Sequence, residues 1–136
     1  ASRDDDRPAG NGGRVRVLLA DDHEILREGL ASLLWEEPDI ELVGQAGDGL
    51  TAVEMALRTR PDVVLMDITM PRMNGIDATR RITAELPGVR VIGLSMHEKQ
   101  DMAEAMREAG AEAYLPKGGS SETLIAAIRG VSPAAV

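Results

Sequence analysis

Val63-Val64-Leu65-Met66-Asp67-Ile68-Thr69-Met70-Pro71 is the stretch on which the fold turns. Four apolar residues in succession read as a strand buried on both faces, which is how strands of parallel sheets look. The run ends in a carboxylate, and a proline then breaks the chain. A carboxylate at the carboxyl end of such a strand stands at the rim where open α/β sheets bind ligands.

Working outward from Asp67, strand and helix patterns alternate. Val15 to Ala20 reads as a buried strand, and Glu24 to Glu36 as a helix with Leu26, Leu30, Leu33 and Leu34 on one face, stopped by Pro38. Ile40 to Ala46 is a second strand. Gly47-Asp48-Gly49 reads as a turn, and Thr51 to Arg60 as a helix closed by Pro61. Val63 to Met66 is the third strand, Gly75 to Leu86 a helix, and Val89 to Leu94 the fourth strand. Lys99 to Ala109 is helical, with Met102, Met106 and Ala109 on a core-facing stripe, and Gly110 ends it. Ala111 to Leu115 is a short fifth strand. Ser120 to Val131 is the last helix, with Leu124, Ile128 and Val131 in register and Ser120 or Ser121 as its cap.

Strands alternating with helices imply a parallel sheet covered on both faces. Five units are too few for a closed eight-stranded barrel. The expected fold is therefore an open, doubly wound α/β sheet of five parallel strands, (βα)5, in the flavodoxin-like order 2-1-3-4-5.

Composition narrows the function. The 136 residues suffice for one domain. There is no cysteine, so disulfides and thiolate metal sites are excluded. No stretch approaches the ~20 apolar residues of a membrane span. Residues 1–13, with Asp4-Asp5-Asp6, Pro8 and Gly10-Asn11-Gly12-Gly13, are expected to form a solvated tail. They lack the apolar segment of a signal peptide, and a cytoplasmic chain is expected. The formal charge of -8 argues against direct nucleic-acid binding, which draws its affinity from Lys and Arg on phosphates. With one Trp, one Tyr and no Phe, no stacking platform for bases can be built.

Four strands end in residues with chemical use. The first leads into Asp21-Asp22, the third into Asp67, the fourth into Ser95 and the fifth into Lys117. In the order 2-1-3-4-5, Asp21-Asp22 and Ser95 flank Asp67 on opposite sides. Lys117 starts two strands away, roughly 10 Å at the backbone, a gap only a long side chain closes. Three crowded carboxylates repel unless a cation sits between them. All-oxygen donors at an open rim suit Mg²⁺. An Asp nucleophile yields an acyl phosphate, while a hydroxyl and an ammonium stabilise the phosphoryl oxygens.

Leu-Leu-Ala-Asp-Asp-His-Glu, Leu-Met-Asp-Ile-Thr-Met-Pro-Arg-Met-Asn-Gly, Leu-Ser-Met-His-Glu and Gly-Ala-Glu-Ala-Tyr-Leu-Pro-Lys, in that order, resemble a response-regulator receiver domain of the NarL/FixJ type. The likeness covers residues 14–132, followed by the start of a linker at 133–136. It implies that Asp67 is the phosphoacceptor and that Asp22 binds Mg²⁺ directly. Asp21 would bind it directly or through water, and the Thr69 backbone carbonyl would complete the set. It implies that Ser95 and Tyr114 form the pair that reports phosphorylation, and that Lys117 holds the phosphoryl group. The implied partner is a sensor histidine kinase, with phosphorylation-dependent homodimerisation. DNA would be reached through a helix-turn-helix domain outside this chain. Such a module switches a surface by self-catalysed phosphoryl transfer and is not a metabolic enzyme.

The chain departs from the pattern at two places. Pro116 precedes Lys117 and Gly118 follows it, where many receivers have proline after the lysine. Met96 follows Ser95, where many have a small residue, and could cover the site.

Two other classes compete. A haloacid-dehalogenase-like phosphatase also uses an Asp after a strand, but wants a second Asp where Thr69 stands. A pseudo-receiver is a folded interaction domain that is never phosphorylated; it typically lacks one of the acids or the lysine, all present here. A dinucleotide site is excluded, because the first strand leads into Asp-Asp-His-Glu and not G-x-G-x-x-G. Taken singly, each residue has a bland reading. Asp21-Asp22 could cap the first helix, Ser95 could be a turn hydroxyl and Lys117 a surface lysine. Tyr114 could be a packing residue, Trp35 a packing or partly exposed one, and His97 a loop histidine.

Overall fold

The computed structural model describes residues 13–95 and 100–130. Within them the chain runs β1 (Val15–Ala20), α1 (Glu24–Trp35), β2 (Ile40–Ala46), α2 (Gly49–Thr59), β3 (Val63–Asp67), α3 (Gly75–Glu85), β4 (Arg90–Ser95), α4 (Gln100–Ala109), β5 (Ala113–Pro116) and α5 (Ser121–Arg129). The strands form one parallel sheet in the order β2-β1-β3-β4-β5. This is the doubly wound fold and the strand order that the alternating pattern predicts.

The two-residue period of a strand sends successive side chains to opposite faces. Leu18, Ala20, Val64, Met66 and Val91 point to one face, where Ala52, Val53 and Ala56 of α2, Ala78 and Ile82 of α3 and Met106 of α4 cover them. Val17, Leu19, Val63, Leu65, Ile92 and Leu94 point to the other, beneath Ala31 and Leu34 of α1 and Leu124, Ile125 and Ile128 of α5. β3 is central and wholly buried. That is why its sequence is apolar without interruption up to the carboxylate.

Element ends differ from the sequence reading in physically interpretable ways. α2 starts at Gly49 rather than Thr51, because the Asp48 carboxylate accepts the Thr51 N–H at 2.7 Å and caps the helix. The segment read as a turn is thus a cap and a first helical residue. β5 is Ala113–Pro116 rather than Ala111 to Leu115. The Ala111 N–H is taken by the Met106 carbonyl at the end of α4, which delays the strand. Ser120 caps α5, accepting from the N–H groups of Glu122 and Thr123. Val131, the last residue of that helix's expected stripe, lies outside the described residues. The methionine stripe of α4 faces the core, with Met106 buried and Met102 packed against it. Trp35, expected to be packing or partly exposed, is 74% exposed at the end of α1.

Register decides what meets at the rim. Ala20 pairs with Met66, Asp67 with Leu94 and Ser95 with Pro116. The carboxyl ends of β1, β3, β4 and β5 therefore lie level.

Candidate functional site

Asp67 is the last residue of β3 and 3% exposed. The loop after it is drawn back against the strand. The Gly75 N–H donates to the Ile68 carbonyl at 2.7 Å. A Cβ at Gly75 would collide with the Asp67 carbonyl oxygen, so only glycine allows this approach. Asn74 caps α3 by accepting the Asp77 N–H at 2.9 Å. The Thr69 N–H donates to Asp67 Oδ1 at 3.2 Å, fixing one carboxylate oxygen.

Asp21 follows β1 and is fully buried. Its Oδ1 accepts the His23 N–H at 2.8 Å. Asp22 beside it is open to solvent. His23, and neither carboxylate, holds the cap position of α1, and its side chain makes no cap hydrogen bond.

Lys117 follows β5, and its side chain reaches back across two strands. The Ser95 carbonyl accepts the Lys117 N–H at 2.8 Å and ties the two strand ends together. Nζ ends 3.1 Å from Asp67 Oδ2 and 3.1 Å from Asp21 Oδ2, with its side chain only 1% exposed. It donates a hydrogen bond to Asp21 Oδ1 at 3.2 Å. The two Oδ2 atoms lie at ion-pair distance but accept no hydrogen bond, and both are buried. One ammonium thus faces two buried carboxylates and leaves one oxygen of each without a hydrogen bond among the described residues.

The electrostatics follow. Burial pushes the Asp67 carboxyl up to about 6; Lys117 opposes the rise, while Asp21 and Asp22 add to it. Asp67 is therefore ionised at neutral pH, at a cost to the folded state. The donor atoms present fit a hard divalent cation. Three carboxylates converge, and two of their buried oxygens have no hydrogen-bond partner.

Of the residues singled out from sequence, the structure brings Asp21, Asp22, Asp67 and Lys117 together. Thr69 is exposed, with its N–H on Asp67. Ser95 is half-buried at the end of β4, one strand from Asp67. Tyr114 is half-buried on β5, opposite Gly93. A Cβ at Gly93 would lie 2.9 Å from its ring and 2.8 Å from Met106 Cε, so tyrosine and methionine fill the space that glycine leaves. The Tyr114 hydroxyl is buried with no hydrogen-bond partner among the described residues. Met96 and His97 lie outside the described residues.

Sequence reasoning gave His23 no role, yet its Nδ1 lies 3.2 Å from Oδ1 of Asp21, 3.2 Å from Oδ1 of Asp22 and 3.8 Å from Oδ2 of Asp67. The available signal was position: a residue directly after the acidic pair shares the strand end.

Comparison with known proteins adds four findings. The family model described as the response regulator receiver domain matches residues 17–129. The transcriptional regulatory protein LiaR of Bacillus subtilis (strain 168) is 44% identical over 118 residues, covering 87% of this chain and 56% of its own length. The chain thus spans little more than half of that relative. A two-component response regulator of the LuxR family from Aurantimonas sp. SI85-9A1 superposes with a TM-score of 0.79 at 33% identity, covering 88% of each chain. A chain of the CheX-CheY-BeF3-Mg complex from Borrelia burgdorferi superposes with a TM-score of 0.82 at 25% identity over 90% of this chain and 92% of that one.

Proposed function

The chain belongs to the response regulator receiver domain family, and from that premise we propose that Asp67 accepts a phosphoryl group from the phosphohistidine of a sensor kinase. The observation that carries the reading is the buried Asp67–Lys117–Asp21 arrangement, in which two carboxylate oxygens stand without hydrogen bonds around one ammonium.

In the step itself a carboxylate oxygen of Asp67 attacks phosphorus. An O–P bond forms and the P–N bond of the donor breaks. The electron pair leaves with the imidazole nitrogen, which then takes a proton from water. The Thr69 N–H holds Oδ1 and limits the rotation of the carboxylate. Once Asp67 is phosphorylated its charge moves outward, and the Lys117 ammonium follows it to pair with a phosphoryl oxygen. The Ser95 hydroxyl donates to another. Asp21, Asp22, Asp67 and the Thr69 carbonyl would hold Mg²⁺. When bound, the ion supplies positive charge against the phosphoryl oxygens.

Ser95 and Tyr114 are assigned to the switch. The half-buried ring packs beside Met106 of α4, and its hydroxyl has no hydrogen-bond partner among the described residues. Movement of Ser95 toward the phosphoryl group frees space beside Gly93 and shifts the ring, biasing a pre-existing equilibrium of the α4–β5–α5 surface.

The receiver unit is taken as residues 14–132, with a solvated tail before it and a linker after it. Homodimerisation on phosphorylation, control of DNA through a helix-turn-helix domain beyond this chain, and a cytoplasmic setting belong to the same reading. A phosphatase role is disfavoured by Thr69, which offers no carboxyl as general acid. The test is incubation with Mg²⁺ and a small acyl phosphate, followed by intact mass. The wild-type chain gains one phosphoryl group and Asp67→Asn gains none. An unmodified wild-type chain, or equal modification of both, overturns the proposal.

A further inference from the structure

His23 lies in the acidic pocket, and the phosphorylation reading gives it no part. It holds the cap position of α1, where Ser, Thr, Asn or Asp ordinarily accept a first-turn N–H, yet its ring makes no such bond. The ring is turned to the carboxylates instead. One donor atom from each of Asp21, Asp22, His23 and Asp67 lies within 4.8 Å of every other. Around an octahedral ion with ligands at about 2.1 Å, neighbouring donors stand about 3 Å apart and opposite donors about 4.2 Å. The His23 Nδ1 distances of 3.2, 3.2 and 3.8 Å to the three carboxylates fall within that range.

A second observation points to a cation independently of this cluster of distances. Asp21 and Asp67 have side chains 0% and 4% exposed, and an Oδ2 atom of each accepts no hydrogen bond among the described residues, with the one Lys117 ammonium at 3.1 Å shared between them. Nδ1 itself has conflicting neighbours. Lys117 Nζ at 3.3 Å calls for a lone pair there, while the carboxylates call for a proton. A divalent ion among the carboxylates resolves the conflict in favour of the lone pair. Lys117 is long enough to give up this contact and keep Asp67.

We propose that His23 Nδ1 is a ligand of the divalent ion, making the pocket a mixed nitrogen–oxygen site that discriminates in favour of transition-metal ions. Magnesium seeks oxygen and gains little from an imidazole, whereas first-row transition ions accept it. The inference rests on the metal-binding part of the function proposed above.

The probe is Mn²⁺ on the full chain, read by electron paramagnetic resonance. Wild type is expected to show nitrogen modulation in the electron spin echo of the bound ion, changed in kind when the histidine rings carry a heavier nitrogen isotope. The modulation is lost in His23→Ala and His23→Gln and retained in His97→Ala, the chain having two histidines. The Mn²⁺ dissociation constant rises roughly tenfold in both His23 variants while that of Mg²⁺ changes less than about twofold, because only the nitrogen donor is lost. Bound Mn²⁺ without nitrogen modulation overturns the His23 assignment and leaves the carboxylate site standing. Modulation lost in His97→Ala alone overturns it too. Free Mn²⁺ signal undiminished by wild-type protein removes the metal reading and this inference together.

Discussion

Replacing Asp67 with asparagine should stabilise the metal-free protein, and the gain should depend on pH. Burial raises the folded-state pKa of Asp67 to about 6 from 3.8. A carboxyl with a raised folded pKa binds its proton more tightly when folded. Its contribution is fully present below the unfolded pKa and is lost as pH rises through the folded one. Between about pH 4 and pH 6 the wild-type chain therefore loses stability on this group's account. The shift of about 2 units corresponds to about 3 kcal/mol at 1.36 kcal/mol per unit. Asparagine carries no charge and avoids that loss, and its side-chain oxygen still accepts the Thr69 N–H. Its amide replaces Oδ2 and faces the Lys117 ammonium donor to donor, which reduces the gain. The expected net stabilisation above pH 7 is about 2 kcal/mol, or roughly 6–8 °C in melting temperature for a domain of this size. The assay is denaturant and thermal unfolding of both proteins in chelator, from about pH 4 to pH 8. The difference should be small at the acid end and reach its plateau above about pH 6.5. An Asp67→Asn chain no more stable than wild type at pH 8, or a difference independent of pH, would refute the reasoning.

Lys117→Ala leaves Asp21 and Asp67 buried without their cation and is expected to cost about 3 kcal/mol at pH 8. Adding Asp67→Asn should restore at least half of that in a double-mutant cycle by urea unfolding. Gly75→Ala drives a Cβ into the Asp67 carbonyl, so a loss of about 1–3 kcal/mol is expected, with slower phosphorylation from the displaced carboxylate. Mg²⁺ at about a hundred times its dissociation constant should add about 2.7 kcal/mol to wild type, with a smaller gain for Asp22→Asn at the same concentration, read as melting temperature against metal.

The fold was legible because each strand carried an unambiguous pattern. Val63 to Met66 could be nothing but a doubly buried strand, and the order 2-1-3-4-5 then placed Asp21, Asp22, Asp67 and Lys117 within reach of one another. Element ends were less legible, because hydrogen bonds set them and hydropathy does not. The Asp48 cap started α2 two residues early, and the Met106 carbonyl delayed β5. Trp35 stands at a helix end, where periodicity leaves packing and exposure both open, and the structure leaves it exposed. His23 was missed for a different reason. A histidine beside two aspartates reads as part of a motif, and its ring direction depends on whether it caps α1. Periodicity does not encode that choice. The unpartnered Tyr114 hydroxyl and the Gly93 space beneath its ring likewise emerge only when β4, β5 and α4 are packed together.

The central claim is that Asp67, and no other carboxylate of the cluster, becomes the acyl phosphate. Treatment with Mg²⁺ and a small acyl phosphate, reduction with borodeuteride and peptide sequencing by mass spectrometry tests it directly, because reduction converts a phosphorylated aspartate into deuterated homoserine at its own position. Homoserine is expected at position 67 alone, with Asp21 and Asp22 unlabelled. Label at Asp21 or Asp22, or no label on a folded, metal-loaded chain, would contradict it.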